Sequence, residues 1–539
     1  TYMCTASIGP GSLNMVTGAA LATTNRLPVL LFPSDQFATR VPDPVLQQLE
    51  DPTSLDVSVN DAFRPVSRFF DRINRPEQLI PSLLNAMRVL TDPAETGAVT
   101  VAMPQDVQAE VFDWPVEFFR KRVWHVRRPV PEPAALERAV ALIKAAKRPL
   151  IIAGGGTIYA GASEELRALA TATGIPVGDT QAGKGAINFD HPSAVGGVGS
   201  TGCDSGNHIA DKADLIIGVG TRYSDFTTAS KTQFKNPDVK FVNINVTPFD
   251  AAKESAEMVV ADAREALTAL TEALADYHVD QAYSDEITAE KEAWLKATER
   301  CYHLDHGPLP AQTEVFGALN ELMGEEDVVI NAAGSMPGDL QALWQARSPL
   351  QYHVEYAFSC MGYEVPAAMG VKLARPEAEV VSIVGDGTYQ MLPMELATVV
   401  QENIKVIYVL LQNYGFCSIG ALSESRGSQR FGTKYRQRGD GSHLADEQVI
   451  DGVDIAVNAR SWGLDVLEAH TIEEFKEAYR KAEASDRPTM IHIETDLYGP
   501  NPPGSSWWDV PVSGVSALES TQRAYEDYQR DRKPQRHYL

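Results

Sequence analysis

Short apolar, β-branched runs recur along the chain, separated by helix-length stretches in which apolar residues return every three or four positions. The runs are residues 27–33 (LPVLLFP), 98–104 (AVTVAMP), 148–156 (RPLIIAGGG), 213–220 (ADLIIGVG), 239–246 (VKFVNINV), 327–334 (DVVINAAG), 379–387 (EVVSIVGDG), 405–413 (KVIYVLLQN) and 489–495 (TMIHIET). Continuous rather than alternating hydrophobicity marks strands covered on both faces, and their alternation with helices predicts βαβ units and parallel sheets. Two segments divide the pattern: the Pro-rich RRPVPEPAAL at 127–136, and the polar helical stretch 280–300 that leads into HLDHGPLPAQ at 303–312. The expected fold class is α/β, with three doubly wound parallel-sheet domains at 1–124, 132–278 and 306–498. The tail 499–539, aromatic and then highly charged, is expected to pack on a neighbouring surface.

Composition narrows the possible partners. A chain of 539 residues is too long for one hydrophobic core. Its 47 basic and 72 acidic residues give a net charge of −25, which argues against nucleic acid or an anionic membrane as partner, since both need clustered Lys and Arg. No apolar run approaches the roughly 18–20 residues that span a bilayer. Cys4, Cys203, Cys301, Cys360 and Cys417 lie far apart without metal-ligand spacing, and their odd, sparse count favours a reducing, cytoplasmic setting. The opening YMCTAS-IGPG reads as a strand end entered in mid-domain, so a preceding segment is expected.

The candidate chemistry sits where the run 380–385 stops at an aspartate between two glycines. Leu392, Leu396, Val399 and Val400 then fall on one helical face before the next strand begins. A right-handed crossover returns that strand parallel to the first, with both carboxyl ends on one sheet edge, so Asp386 and Asn413 can face each other. The Asp386 carboxylate, the Asn413 side-chain carbonyl and the Gly415 backbone carbonyl are hard oxygen donors that suit Mg²⁺ or Ca²⁺. About three of six octahedral positions stay open for two diphosphate oxygens and a water. Gly385 and Gly387 let backbone N–H groups approach an anion, and a helix N-terminus just beyond adds a favourable dipole.

Gly-Asp-Gly followed after about two dozen residues by Asn413 resembles the motif of thiamine-diphosphate (ThDP) enzymes, with Gln412 standing where many members carry a first Asn. SCMGYEVPAAMG (359–370) resembles the segment of acetohydroxyacid synthases and pyruvate decarboxylases that props the cofactor between its rings. That resemblance implies Met361 as the apolar wedge and the Ser359 carbonyl as acceptor from the 4′-amino group. It implies Gly334 and Ser335 of NAAGSMPGD (331–339) as the first diphosphate loop, and Thr388 as a phosphate-contacting hydroxyl. The three blocks then correspond to pyrimidine-binding, central Rossmann-like and diphosphate-binding domains. The resemblance implies ThDP and Mg²⁺ as cofactors, and a site between the pyrimidine domain of one subunit and the diphosphate domain of another. A homo-oligomer, a dimer at least or a tetramer, is what that resemblance implies.

Within that superfamily, FATRVPDPVLQQLEDP (37–52), SRFFDRINRPEQL (67–79) and SCMGYEVPAAMGVKLARP (359–376) are similar to the trihydroxycyclohexane-1,2-dione hydrolases of inositol breakdown. This implies hydrolytic C–C cleavage of a small cyclic dione. The alternatives are an acetohydroxyacid synthase-like carboligase and a non-catalytic ThDP-binding relative. The glutamate that activates the cofactor in these families would precede Thr1, so no catalytic base is assigned. Asp35 and Gln36 follow a strand on the edge where α/β proteins bind ligands, Asp35 at a position where acetohydroxyacid synthases carry Gln. They and Arg40 are the substrate candidates, with Gln47 and Gln48 nearby. His353, His443 and His470 could move protons, and none is assigned. AGGG (153–156) and GVGTRYSD (218–225) resemble the dinucleotide-binding part of acetohydroxyacid synthases, and no working flavin is expected there.

Overall fold

The computed structural model describes residues 3–435 and 453–536, arranged in two compact units, Thr1–Pro129 and Val130–Leu539. In the first unit β1 (Met3–Ala6), β2 (Val29–Asp35), β3 (Phe69–Arg72) and β4 (Ala98–Pro104) form a parallel sheet in the order β1-β2-β4-β3. Leu31 and Ala98 pack with Ala19 and Ala22 of the helix Val16–Asn25, while Val99 and Val101 pack with Ala86 and Val89 of the helix Leu79–Leu90. Both sheet faces are thus covered.

The second unit contains two six-stranded parallel sheets. One comprises β5 (Pro149–Ala153), β6 (Val177–Asp179), β7 (Ala194–Gly197), β8 (Leu215–Val219), β9 (Lys240–Asn245) and β10 (Glu257–Val260), in the order β10-β9-β8-β5-β6-β7. The other comprises β11 (Val328–Asn331), β12 (Tyr352–Val354), β13 (Val380–Gly385), β14 (Ile407–Gln412), β15 (Asp465–Ala469) and β16 (Thr489–Glu494), in the order β12-β11-β13-β14-β16-β15. Strand order reverses between β5 and β8 in the first and between β11 and β13 in the second, the positions at which open α/β sheets form crevices.

The unbroken hydrophobicity of the central runs has a direct cause. Val381, Ile383, Ile407, Val409 and Leu411 enter one core, and their alternating neighbours Val380, Val384, Val406, Tyr408 and Leu410 enter another on the opposite face. Each fully buried Val, Leu or Ile contributes about 1.5–3 kcal/mol relative to exposure. All three sheets are parallel, so the α/β class with doubly wound parallel sheets holds.

The stretch around 280–300 is a single helix, Gln281–Tyr302. Tyr283 Oη donates to the Pro149 carbonyl at 3.1 Å, Trp294 Nε1 to Ala342 O at 2.8 Å and Tyr302 Oη to Leu343 O at 2.7 Å. The helix therefore ties β5 to the helix Met336–Leu343 rather than acting as a loose connection. The tail packs back on the unit: Ser200 Oγ donates to Trp507 O at 3.0 Å, Asn207 Nδ2 to Gly504 O at 2.7 Å, and the Asp509 N–H to Ser230 Oγ at 2.9 Å. Among the described residues no helix is long and apolar enough to cross a membrane.

Candidate cofactor site at the carboxyl edge of the third sheet

The register of β13 against β14, Gly385 opposite Leu411, brings Asp386 to the backbone of 413–415. Asp386 is buried, at 1% exposure. Its Oδ2 accepts from the N–H groups of Asn413 (3.3 Å), Tyr414 (2.6 Å) and Gly415 (3.3 Å), and Oδ1 accepts from Gly387 N–H at 2.8 Å. Burial pushes the carboxyl up to about 6, against the pull of those N–H groups. Beside it the Asn413 Oδ1 is buried and accepts no hydrogen bond. A buried, unpartnered carbonyl is costly, and pairing with a cation removes that cost.

Gly415 is placed by an antiparallel bridge to Lys434, in which Phe416 N–H donates to Thr433 O at 2.7 Å and Tyr435 N–H to Tyr414 O at 2.8 Å. A Cβ at 415 would lie 2.2 Å from Thr433 O, so only glycine fits. The bridge leaves the Gly415 N–H facing Asp386. Among the described residues no three His, Cys, Asp or Glu side chains gather as metal ligands. The donors here are mixed oxygens, and they fit a hard divalent cation.

The neighbouring loops supply open backbone. Gly334, at φ +104°, has nothing within 4 Å of a notional Cβ, and Ser335 precedes the helix Met336–Leu343 with its hydroxyl donating to Gln312 Oε1 at 3.3 Å. At Gly385 a Cβ would meet only the Met336 methyl, at 3.5 Å. Gly387 has another reason to be glycine: a Cβ would lie 2.9 Å from the Phe416 ring. Thr388 is buried. The expectation of a helix dipole here needs correcting. Asp386–Tyr389 is a single turn, and the longer helix is Glu395–Gln401, into which Leu396, Val399 and Val400 but not Leu392 fall. One turn is too short for an appreciable macrodipole.

Ser359 is exposed and left-handed at φ +59°, and Met361 is half-buried. Two glutamates that the sequence pattern did not single out hold this segment. Glu355, 2% exposed, accepts from Phe358 N–H at 3.0 Å through Oε1 and from Cys360 N–H at 2.7 Å through Oε2. Glu364 is fully buried; its Oε1 accepts from Ala333 N–H at 3.3 Å and its Oε2 has no partner. Burial pushes the Glu364 carboxyl up to about 7. The available signal was an acid inside the apolar contexts YHVEYAF and MGYEVPAA. His353 bonds Tyr363 Oη through Nε2 at 2.7 Å, and burial pulls its imidazole below the usual value. His470 is exposed beyond β15, and His443 lies outside the described residues.

In the first unit Asp35 is fully buried, accepting from Arg72 Nε at 2.7 Å and from Gln36 N–H at 2.8 Å. Its carboxylate therefore holds Arg72. Gln36 Oε1 is buried without a partner, and Gln48 Oε1 accepts from Phe37 N–H at 3.3 Å. Arg40 is exposed, its guanidinium 4.3 Å from the Phe37 ring centroid. The Gln47 carbonyl lies where a Cβ on Gly9 would fall, 2.3 Å away. In the middle sheet the glycines pack against each other: Gly154 N–H donates to Val219 O at 2.9 Å, Gly156 N–H to Gly220 O at 3.0 Å, and a Cβ on Gly154 would lie 2.4 Å from Gly220 O. These N–H groups close the sheet at its switch point instead of facing a phosphate.

Residues 136–270 match the family model described as thiamine pyrophosphate enzyme, central domain, and residues 332–493 that of the thiamine pyrophosphate enzyme, C-terminal TPP binding domain. The second span contains every candidate cofactor residue named above. Proteins named 3D-(3,5/4)-trihydroxycyclohexane-1,2-dione hydrolase from Bacillus cereus (strain AH820), Bacillus anthracis (strain CDC 684 / NRRL 3495) and Bacillus thuringiensis (strain Al Hakam) are each 46% identical over 547 residues, covering 97% of this chain and 85% of theirs. With that identity along almost its whole length, the chain belongs to the 3D-(3,5/4)-trihydroxycyclohexane-1,2-dione hydrolase family of thiamine pyrophosphate enzymes.

Proposed function

We propose that the protein catalyses the ThDP- and Mg²⁺-dependent hydrolytic C–C cleavage of 3D-(3,5/4)-trihydroxycyclohexane-1,2-dione to 5-deoxy-D-glucuronate in inositol catabolism. The observation that carries the cofactor reading is the buried, unpartnered Asn413 carbonyl beside the buried Asp386 carboxylate at the carboxyl ends of β13 and β14, next to the strand-order reversal between β11 and β13. Asp386, Asn413 and the Gly415 carbonyl would hold Mg²⁺. Gly334, Ser335, Gly385, Gly387 and Thr388 would surround the diphosphate, Met361 would wedge the two rings apart, and the Ser359 carbonyl would accept from the 4′-amino group. When bound, ThDP supplies a carbanion that adds to a carbonyl and accepts the charge released when the adjacent C–C bond breaks.

The chain's own part is orientation and water control. Gln36, with its unpartnered Oε1, is the first candidate for a substrate hydroxyl, Asp35 fixes its backbone, and Arg40 is a further candidate. A homo-oligomer completes the site across subunits. Five free cysteines support a reducing, cytoplasmic setting.

The test is ring opening of the dione followed by mass spectrometry, with and without ThDP and Mg²⁺. Conversion only with both present is expected. Pyruvate coupling without dione cleavage would indicate a carboligase, and cofactor binding with neither reaction a non-catalytic relative.

A further inference from the structure

We propose that Glu355 is a positioning residue whose carboxylate clamps the backbone on both sides of Ser359, imposing its left-handed conformation and so aiming the Ser359 carbonyl at the aminopyrimidine ring of bound ThDP. The proposal rests on the reading above that this carbonyl receives the 4′-amino group. Glu355 follows β12 directly, and its own N–H donates to Asn331 O of β11 at 3.3 Å, so the root of the side chain is fixed by two strands. Each carboxylate oxygen takes one amide, Phe358 N–H and Cys360 N–H, which leaves residue 359 arched between them. Serine at φ +59° is strained, and such a conformation persists where its surroundings over-determine it. Two hydrogen bonds donated by the Phe358 and Cys360 N–H groups to a buried carboxylate are that determinant. Glycine would adopt the same angle without help, so a serine held there is fixed by the clamp rather than by its own preference.

The test measures preference rather than activity. The intact protein, with Mg²⁺, is titrated with ThDP, with its 4′-oxo analogue (oxythiamine diphosphate) and with inorganic diphosphate. The wild type is expected to prefer ThDP over the 4′-oxo analogue about tenfold, because one hydrogen bond is replaced by two facing carbonyls. Glu355→Gln presents an amide donor to one of the two N–H groups, and the preference should fall below about threefold while diphosphate affinity stays within about twofold. Adding Ser359→Gly should restore part of the preference, a rescue that a general packing role of Glu355 would not produce. If Glu355→Gln does not fold, Glu355→Asp, which cannot reach both amides, serves instead and should give an intermediate preference. A folded Glu355 variant that keeps the full preference overturns the clamp. Wild-type protein that binds ThDP and the 4′-oxo analogue equally overturns the Ser359 assignment, and wild-type protein that binds neither overturns the cofactor reading itself.

Discussion

Asp386 combines four backbone donors with surroundings that push its carboxyl up to about 6, and a divalent cation favours the ionised form that those donors already orient. Asp386→Asn keeps the size and removes the charge. Isothermal titration is expected to show at least about a hundredfold loss of Mg²⁺-dependent ThDP affinity; an unchanged affinity would remove Asp386 from the metal site. Glu364 gives a pH prediction. Its carboxyl, near 4.3 in an unfolded chain, stays protonated in the native state up to about 7. The native state therefore holds a proton that the unfolded chain has released. Its contribution is present in full below about pH 4 and is lost as pH rises through 7, a change of about 4 kcal/mol. Denaturant unfolding of cofactor-free protein at pH 5 and pH 8 should show a smaller loss in Glu364→Gln than in the wild type. The metal candidates were legible because glycines and an Asn at strand ends are local signals. Glu364 was not: an acid in the first turn of a helix is ordinary, and its partner is the distant loop at Ala333.

At the scale of elements, the nine predicted runs all contain strands, since each is apolar on both faces and needs no partner to be recognised. The strands missed are β3, β7, β10, β12 and β15 at sheet edges, together with the three-residue β6. Edge strands cover one side less and carry polar residues, as in DVLEA of β15, so the pattern that betrays a buried strand is absent. The glycine clusters at 153–156 and 218–225 resemble a dinucleotide-binding part in which no working flavin is expected, and their contacts are backbone on backbone. Gly154→Ala tests this. Its Cβ would fall 2.4 Å from Gly220 O, and the variant should lose about 1–3 kcal/mol or more of stability in thermal or denaturant unfolding. ThDP affinity of the folded protein should stay within about twofold, because the third sheet carries the candidate site. A variant as stable as the wild type would show that this backbone contact is not what requires glycine at 154.

For the whole molecule, a net charge of −25 opposes casual association, so a stable assembly needs an apolar surface that outweighs repulsion. Such residues stand out around the proposed cofactor segment: Phe358, Met391 and Met394 are exposed, and the backbone of Gly362 comes so close to Leu392 that a Cβ would lie 2.9 Å from its Cβ. Large apolar side chains grouped in this way mark an interaction site. If a second copy covers them, assembly and cofactor retention are one equilibrium, and ThDP shifts the protein toward the oligomer by mass action. In sedimentation velocity the wild type should run at a multiple of the single-chain mass, more completely with ThDP and Mg²⁺. The double variant Met391→Glu, Met394→Glu should sediment as a single chain and lose ThDP affinity by about tenfold or more, since each buried carboxylate would have to be desolvated. Asp386→Asn should instead lose ThDP affinity while remaining oligomeric in its absence, because its defect lies inside one subunit. An oligomer that survives both glutamates with full ThDP affinity would place the interface on another surface and leave the site complete within one chain.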